Sequence, residues 1–196
     1  EFDPHRYIIL DRYKPQRVGT KESIDYLITS YVSKDSTLWL GGGSQGIFFC
    51  NLAKRKFEHY LNTGTDQKQI NVTRILPVQE NRYLIFTLRY GILLINEKGD
   101  ILYHWTELPD GTSYFTSSVA ARVSEKELLF YRNNVLYVLD LDSKRIKRLR
   151  GDPAYPLLFV EYIEKLSNDK IIISCSDNRL LEIQLTDGQY TLRPYG

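Results

Sequence analysis

The residues that could do chemistry in this 196-residue chain are few and scattered. There are three histidines, His5, His59 and His104, and two of them share one kind of context, FEHY and LYHW. A position that recurs in this way marks an aromatic slot on a strand surface, so neither a proton shuttle nor a metal ligand is expected of them. Ser44 lies in GGGSQG, which lacks the G-x-S-x-G spacing of a nucleophile elbow and has no base nearby. The same stretch, Gly41–Gly46, is not followed by the Lys-Ser/Thr of a phosphate-binding loop and reads as a strand-connecting turn that needs positive φ. Asp140 and Asp142 supply too few oxygen ligands for calcium. Cys50 and Cys175 lie far apart in apolar contexts and read as buried free thiols, since two cysteines cannot build a zinc site alone. No catalytic residue, metal or cofactor is expected.

Binding chemistry remains. Arg74, Arg89, Arg122, Arg132 and Arg179 could grip a carboxylate or sulfate with paired donors, and Tyr90, Tyr31 and Tyr114 could stack on sugar rings. The plainer reading pairs each arginine with a local acid or an aromatic face. Arg89 and Arg132 stand out because both follow an apolar strand, near the turn into the next one. The basic run Lys144–Arg150 is interrupted by Ile146 and Leu149, so its charges decorate one edge strand, where they oppose edge-to-edge association. The sequon Asn71-Val72-Thr73 is no more than chance supplies in a chain of this length. The longest polar connection, ELPDGTSYFTSS with Phe115 inside it, is a natural contact surface.

Composition narrows the class. A net charge of +2 demands neither nucleic acid nor an acidic membrane. No apolar run approaches the roughly 20 residues of a membrane span. The opening EFDPHRY lacks the basic and apolar regions of a signal peptide. Fifteen Tyr, eight Phe and two Trp favour strands.

The elements that would position these residues repeat. Apolar strands start at Leu38, Leu84, Leu128 and Ile171, spaced 46, 44 and 43 residues apart. Each is preceded by another apolar strand: Leu27–Val32, Val72–Val78, Ser118–Val123 and Phe159–Leu166. Each is followed by a turn and a third strand (Gly46–Cys50, Gly91–Ile95, Val135–Leu139, Leu180–Leu185), then a second turn and a more polar fourth strand (Lys56–Tyr60, Ile101–Trp105, Arg145–Leu149, Tyr190–Arg193). Four strands per period of about 45 residues is the pattern of propeller blades. Middle strands are expected to be apolar on both faces, between neighbouring blades, and last strands to face water. The blades are placed at residues 25–62, 72–106, 118–150 and 158–194. Residues 1–12, with Phe2-Asp3-Pro4 before Tyr7–Leu10, read as the last pieces of a preceding blade. The chain is therefore expected to be cut from a longer propeller, the alternative being a complete four-bladed ring.

The first unit resembles the two-component regulator propeller repeat. Leu38, Trp39, Leu40 and Gly41 match its Leu-Trp-Ile/Val-Gly, and Gly46-Ile47, Phe49, Asn51, Phe57 and Tyr60 follow in its order. Gly42 replaces the family's Thr, Phe2-Asp3-Pro4 matches the end of the repeat, and the later units keep mainly their hydrophobic positions. The resemblance implies that Trp39, Gly41, Gly42 and Gly46 are fold determinants. It also implies a segment of the periplasmic sensor region of a hybrid sensor histidine kinase, whose kinase modules lie elsewhere.

The expectation is thus an all-β propeller segment of about four four-stranded blades plus a remnant, without catalysis of its own. It would sense a carbohydrate or transmit a signal by propeller packing, with an oligosaccharide ligand and a homodimer as expected partners. Nucleic acid is not expected, and a membrane only through downstream segments. The alternative is a protein-interaction scaffold, which predicts an exposed apolar or mixed patch. An enzyme would need a converging acid–base or metal set.

Overall fold

A computed structural model describes residues 2–3, 8–9, 27–33, 36–42, 46–51, 56–60, 70–78, 81–113, 119–151, 156–157, 159–167, 170–186 and 189–196. Every regular element among them is a strand. A short ladder joins β1 (Phe2–Asp3) to β2 (Ile8–Ile9). The first four-stranded sheet holds β3 (Leu27–Val32), β4 (Thr37–Gly42), β5 (Gly46–Asn51) and β6 (Lys56–Tyr60). The second holds β7 (Asn71–Pro77), β8 (Arg82–Leu88), β9 (Ile92–Asn96) and β10 (Ile101–Trp105). The third holds β11 (Ala120–Arg122), β12 (Glu127–Arg132), β13 (Val135–Asp140) and β14 (Ile146–Arg148). The fourth holds β15 (Val160–Ser167), β16 (Lys170–Cys175), β17 (Leu180–Thr186) and β18 (Gln189–Pro194). Each sheet is an antiparallel meander in chain order, the plan of a propeller blade. The fold is all-β and propeller-type.

Two compact units divide the chain, Glu1–Val72 and Thr73–Gly196. In the first, Trp39 is buried at 2% exposure with its ring 5.6 Å from Phe49. Gly41 and Gly42 were expected in a turn. They instead end strand β4, pairing with Ile47 and Gly46. A Cβ at Gly41 would meet Thr29 Cγ2 and Val72 Cγ1, both at 2.6 Å, so close packing and not backbone conformation demands glycine there. Gly46, with φ of 81°, is the member of the set that uses the left-handed region. Gly43, Ser44 and Gln45, the Leu52–Arg55 turn and His5 lie outside the described residues.

In the second unit, alternation builds two cores from one sheet. Leu128, Phe130, Tyr137 and Leu139 of the third blade pack with Leu84, Phe86, Ile92 and Leu94 of the second. Their strand neighbours Leu129, Leu136 and Val138 pack the other way, on Ile163, Ile171, Ile173, Leu181 and Ile183 of the fourth. Successive strand residues point to opposite faces, so a continuous apolar run buried on both sides serves two interfaces at once. Phe130 joins these layers, 5.9 Å from Phe86 edge-on and 5.3 Å from Tyr137 in a stack. Trp105 of β10 donates its indole N–H to the Lys144 carbonyl at 2.8 Å, tying the outer part of the second blade to the third.

The fourth blade departs from expectation. Its middle strand β16 alternates, with Ile171, Ile173 and Cys175 buried while Lys170, Ile172 and Ser174 are only half-buried. One face therefore packs on the third blade. The other carries Ile172, Ser174, Leu180, Glu182, Gln184, Thr191 and Arg193, a mixed surface.

Candidate functional site

The six residues singled out for binding fall in three places. Arg89, Arg132 and Arg179 sit in or beside the turns between second and third strands, at one end of their blades. Arg122 closes β11 at the opposite end. Arg74 lies in the middle of β7. Antiparallel pairing fixes this separation, since alternate turns of a meander lie at opposite ends.

Arg179 is committed to scaffolding. It donates from Nε to Asp177 at 2.7 Å and from its terminal nitrogen to the Pro156 carbonyl at 3.1 Å, holding the segment that leads into its own blade. Arg132 is half-buried near Tyr137 and Asp110, and burial lowers its pKa. Tyr137 donates to Asp110 at 3.3 Å, so this group again fastens a connection, Leu108–Thr112, to the blade it enters. Hydrogen bonds from Thr112 hold the Asp110 carboxyl below its ordinary range. Arg89 is exposed, with φ of 68°. Beside it Tyr90 is buried under the His104 ring at 4.4 Å, and His104 Nε2 lies 2.6 Å from the Tyr90 carbonyl. That is the aromatic slot read from LYHW. Tyr31 is half-buried in β3, while Tyr114, Phe115 and the His59 side chain lie outside the described residues.

Asp140 is a turn residue, its carboxylate accepting from the backbone N–H of Asp142 at 2.9 Å and Ser143 at 2.8 Å. Among the described residues no group of three or more His, Cys, Asp or Glu converges as a metal site would require. Cys50 and Cys175 are buried free thiols, and burial pushes both thiols up.

A different arrangement lies where β11 and β15 meet. Lys165 of β15 reaches β11's end, donating to the Val123 carbonyl at 2.7 Å. Arg122 holds the same turn through the Ser124 and Glu125 carbonyls at 3.0 and 3.3 Å. Tyr162 and Glu164, alternate residues of β15, share the face opposite Ile163, and the Tyr162 hydroxyl donates to Glu164 Oε2 at 2.8 Å. Arg74 is half-buried on β7, and burial lowers its pKa, partly opposed by Tyr162 and Glu164. The sequence pointed to Arg74. It did not point to Tyr162 and Glu164, which alternate with Ile163 along β15 (VEYIEKLS).

Successive four-stranded antiparallel meanders, stacked face to face within the second unit, define the class as a propeller-type domain. No protein-family model matches the chain, and no curated protein matches it in sequence. Solved structures do match. The extracellular domain of BT3049 from B. thetaiotaomicron, assigned to the hybrid two-component systems, superposes with a TM-score of 0.70 at 20% identity, over 91% of this chain and 25% of that one. The extracellular domain of BT4673 from the same organism, described both as a one-component and as a hybrid two-component system, gives 0.67 at 16% identity over 95% of this chain and 23% of its own. PorZ, a surface component of the type-IX secretion system of Porphyromonas gingivalis, gives 0.65 at 15% identity over 89% and 23%. The chain spans about a quarter of the length of each.

Proposed function

We propose that this chain is a non-catalytic, extracytoplasmic sensor segment of a two-component regulator, located in the periplasm, that responds to a carbohydrate. The observation that carries this reading is the fold likeness to two extracellular sensor-system domains over more than nine-tenths of the chain. The Tyr162–Glu164 pair supports it, because it offers an acceptor and a half-exposed ring where β15 meets β11. Ligand binding would change the spacing of these strands and so the packing of blades on whatever follows them.

A second reading is a protein-interaction scaffold with no small ligand. It is favoured by large apolar side chains left exposed on and beside the fourth blade, among them Phe159 at 70%, Leu166 at 49% and Leu180 at 39%. Differential scanning fluorimetry against a panel of neutral and anionic oligosaccharides separates the two. A ligand that binds only the folded state raises the midpoint, and a specific rise of about several degrees is expected. A cooperative melt that no sugar moves favours the scaffold.

A further inference from the structure

We propose that the cavity beside β18, between Lys170 and Arg193, binds the oxyanion of an acidic sugar, a ring that carries a carboxylate or a sulfate. The inference rests on the sensor reading and names the ligand class of a site on the fourth blade.

Strand register brings the charged residues together. Ile171, Ile183 and Leu192 lie directly across from one another on β16, β17 and β18 and are buried in the core shared with the third blade. Their strand neighbours Lys170, Glu182 and Arg193 therefore point to the other face. Glu182 and Arg193 are cross-strand partners. Arg193 donates from a terminal nitrogen to Glu182 Oε1 at 2.6 Å, and the Lys170 ammonium lies 3.9 Å from Oε2. The same ammonium sits 4.9 Å from the centre of the Tyr195 ring. With Pro194 and Gly196 these residues line an open cavity of about 440 Å³, inside the range of about 300–1,000 Å³ typical of small-ligand sites.

The hydrogen-bond balance of the cavity then selects the ligand. Its carboxylate, Glu182, is largely covered and has a cation on each oxygen. Donors are in surplus, because a guanidinium carries five N–H groups and an ammonium three. Arg193 spends one terminal nitrogen on Glu182. Lys170, at 3.9 Å, is beyond hydrogen-bond length and spends none there. Neither cation has another hydrogen bond or ion pair among the described residues, and both reach solvent. The next acid on this face, Glu164, stands beyond Ile172 and accepts from Tyr162. It is two strand spacings, about 10 Å, from Glu182. A group made only of acceptors, a carboxylate or sulfate, suits such a cavity because it can take charge-assisted bonds from both cations at once. The exposed Tyr195 ring offers apolar surface to the C–H side of the sugar. A neutral ring brings no countercharge for either cation.

Isothermal titration calorimetry on the wild type, Lys170→Met and Arg193→Met tests this with oligogalacturonate, a chondroitin sulfate disaccharide, a neutral galacto-oligosaccharide and inorganic sulfate. The expected result is binding of an acidic sugar in preference to the neutral one, weakened about tenfold or more in each variant, which corresponds to a loss of about 1.4 kcal/mol. Added salt should weaken it further. Both side chains reach solvent, so melting temperatures measured alongside should stay nearly unchanged. Acidic-sugar binding that survives in both variants overturns the cavity as its site and leaves the sensor reading standing. Binding of the neutral oligomer alone overturns the charge argument but not the sensor reading. Inorganic sulfate that binds as tightly as the acidic sugars overturns the assignment of a sugar to this cavity. A protein that binds no member of the panel overturns both this inference and the sensor reading.

Discussion

The third and fourth blades have the same strand plan and opposite surface economies. In the third, β12 and β13 send alternate residues into two different cores, so Leu128 and Leu129 are equally buried though they face opposite ways. In the fourth, the three isoleucines Ile171–Ile173 look equivalent in sequence, yet Ile171 and Ile173 are core and Ile172 is not. Around Ile172 stand Glu164 and Glu182, directly opposite it on the flanking strands. Glu182 in turn holds Arg193 at 2.6 Å and lies 3.9 Å from Lys170, whose ammonium sits 4.9 Å from the Tyr195 ring. An open cavity of about 440 Å³ lies among these groups. Propeller blades need one apolar face to be anchored, and the second face is free to take on polar work.

The largest effect should come from the residue that joins three aromatic layers. Phe130 has no exposure and touches both Phe86 and Tyr137. Phe130→Ala is expected to cost about 3–5 kcal/mol, read from the urea midpoint, because the cavity it leaves is walled by two blades and cannot collapse easily. A smaller loss would mean that the second and third blades are not held by this layer.

The matched pair Ile173→Ala and Ile172→Ala tests the asymmetry of the fourth blade directly. Ile173 is fully buried, and its truncation should cost about 2–5 kcal/mol. The same change one residue earlier should cost clearly less, about 1–2 kcal/mol, since Ile172 is only partly buried. Equal losses in the two variants would show that the second face is as well covered as the first, and the contrast between the blades would fall.

These pairs also indicate how far the sequence could be read. Strand number, order and approximate ends were legible because alternation, glycine turns and apolar runs are local signals. The ends moved by a residue or two, as for β11, expected at Ser118–Val123 and formed over Ala120–Arg122. What depends on a distant neighbour was not legible. Ile172 reads as core until the residues across from it are known to be Glu164 and Glu182. The role of Gly41 is set by Val72, thirty-one positions away, and not by its own φ. Arg179 resembled a ligand donor because its acceptor, the Pro156 carbonyl, lies twenty-three residues upstream. Tyr162 and Glu164 were passed over inside a strand taken as uniformly apolar, and only the register of β15 separates them from Ile163.

Tyr137→Phe removes a single hydrogen bond at the rim of the third blade. The expected loss at neutral pH is about 0.5–1.5 kcal/mol, since the phenol is buried but its partner Asp110 lies at the surface. The pH dependence carries the sharper sign. Burial first, and the Asp110 charge second, raise the Tyr137 pKa above its ordinary value. Above pH ~10 the unfolded chain therefore loses this proton before the folded one, so stability falls as pH rises. Alkaline titration of the melting temperature should show that fall in the wild type and less of it in Tyr137→Phe. Parallel curves would place the phenol in a wetter setting than the packing against Phe130 implies.

The smallest effect is expected on the free face of the fourth blade, from Arg193→Met. Arg193 is 72% exposed while its partner Glu182 is 13% exposed, so the pair joins a solvated cation to a largely covered anion. If water reaches this face, the pair should contribute about 1 kcal/mol or less, with added salt screening part of it. Lys170, on the other carboxylate oxygen, should keep Glu182 from being stranded. Thermal melts of wild type and variant at low and high salt measure both points, and the two should converge as salt is raised. A loss of several kcal/mol that ignores salt would mean a dry pair, because removing one partner of a desolvated pair leaves a buried charge uncompensated. The face would then be an interior surface like those of the third blade.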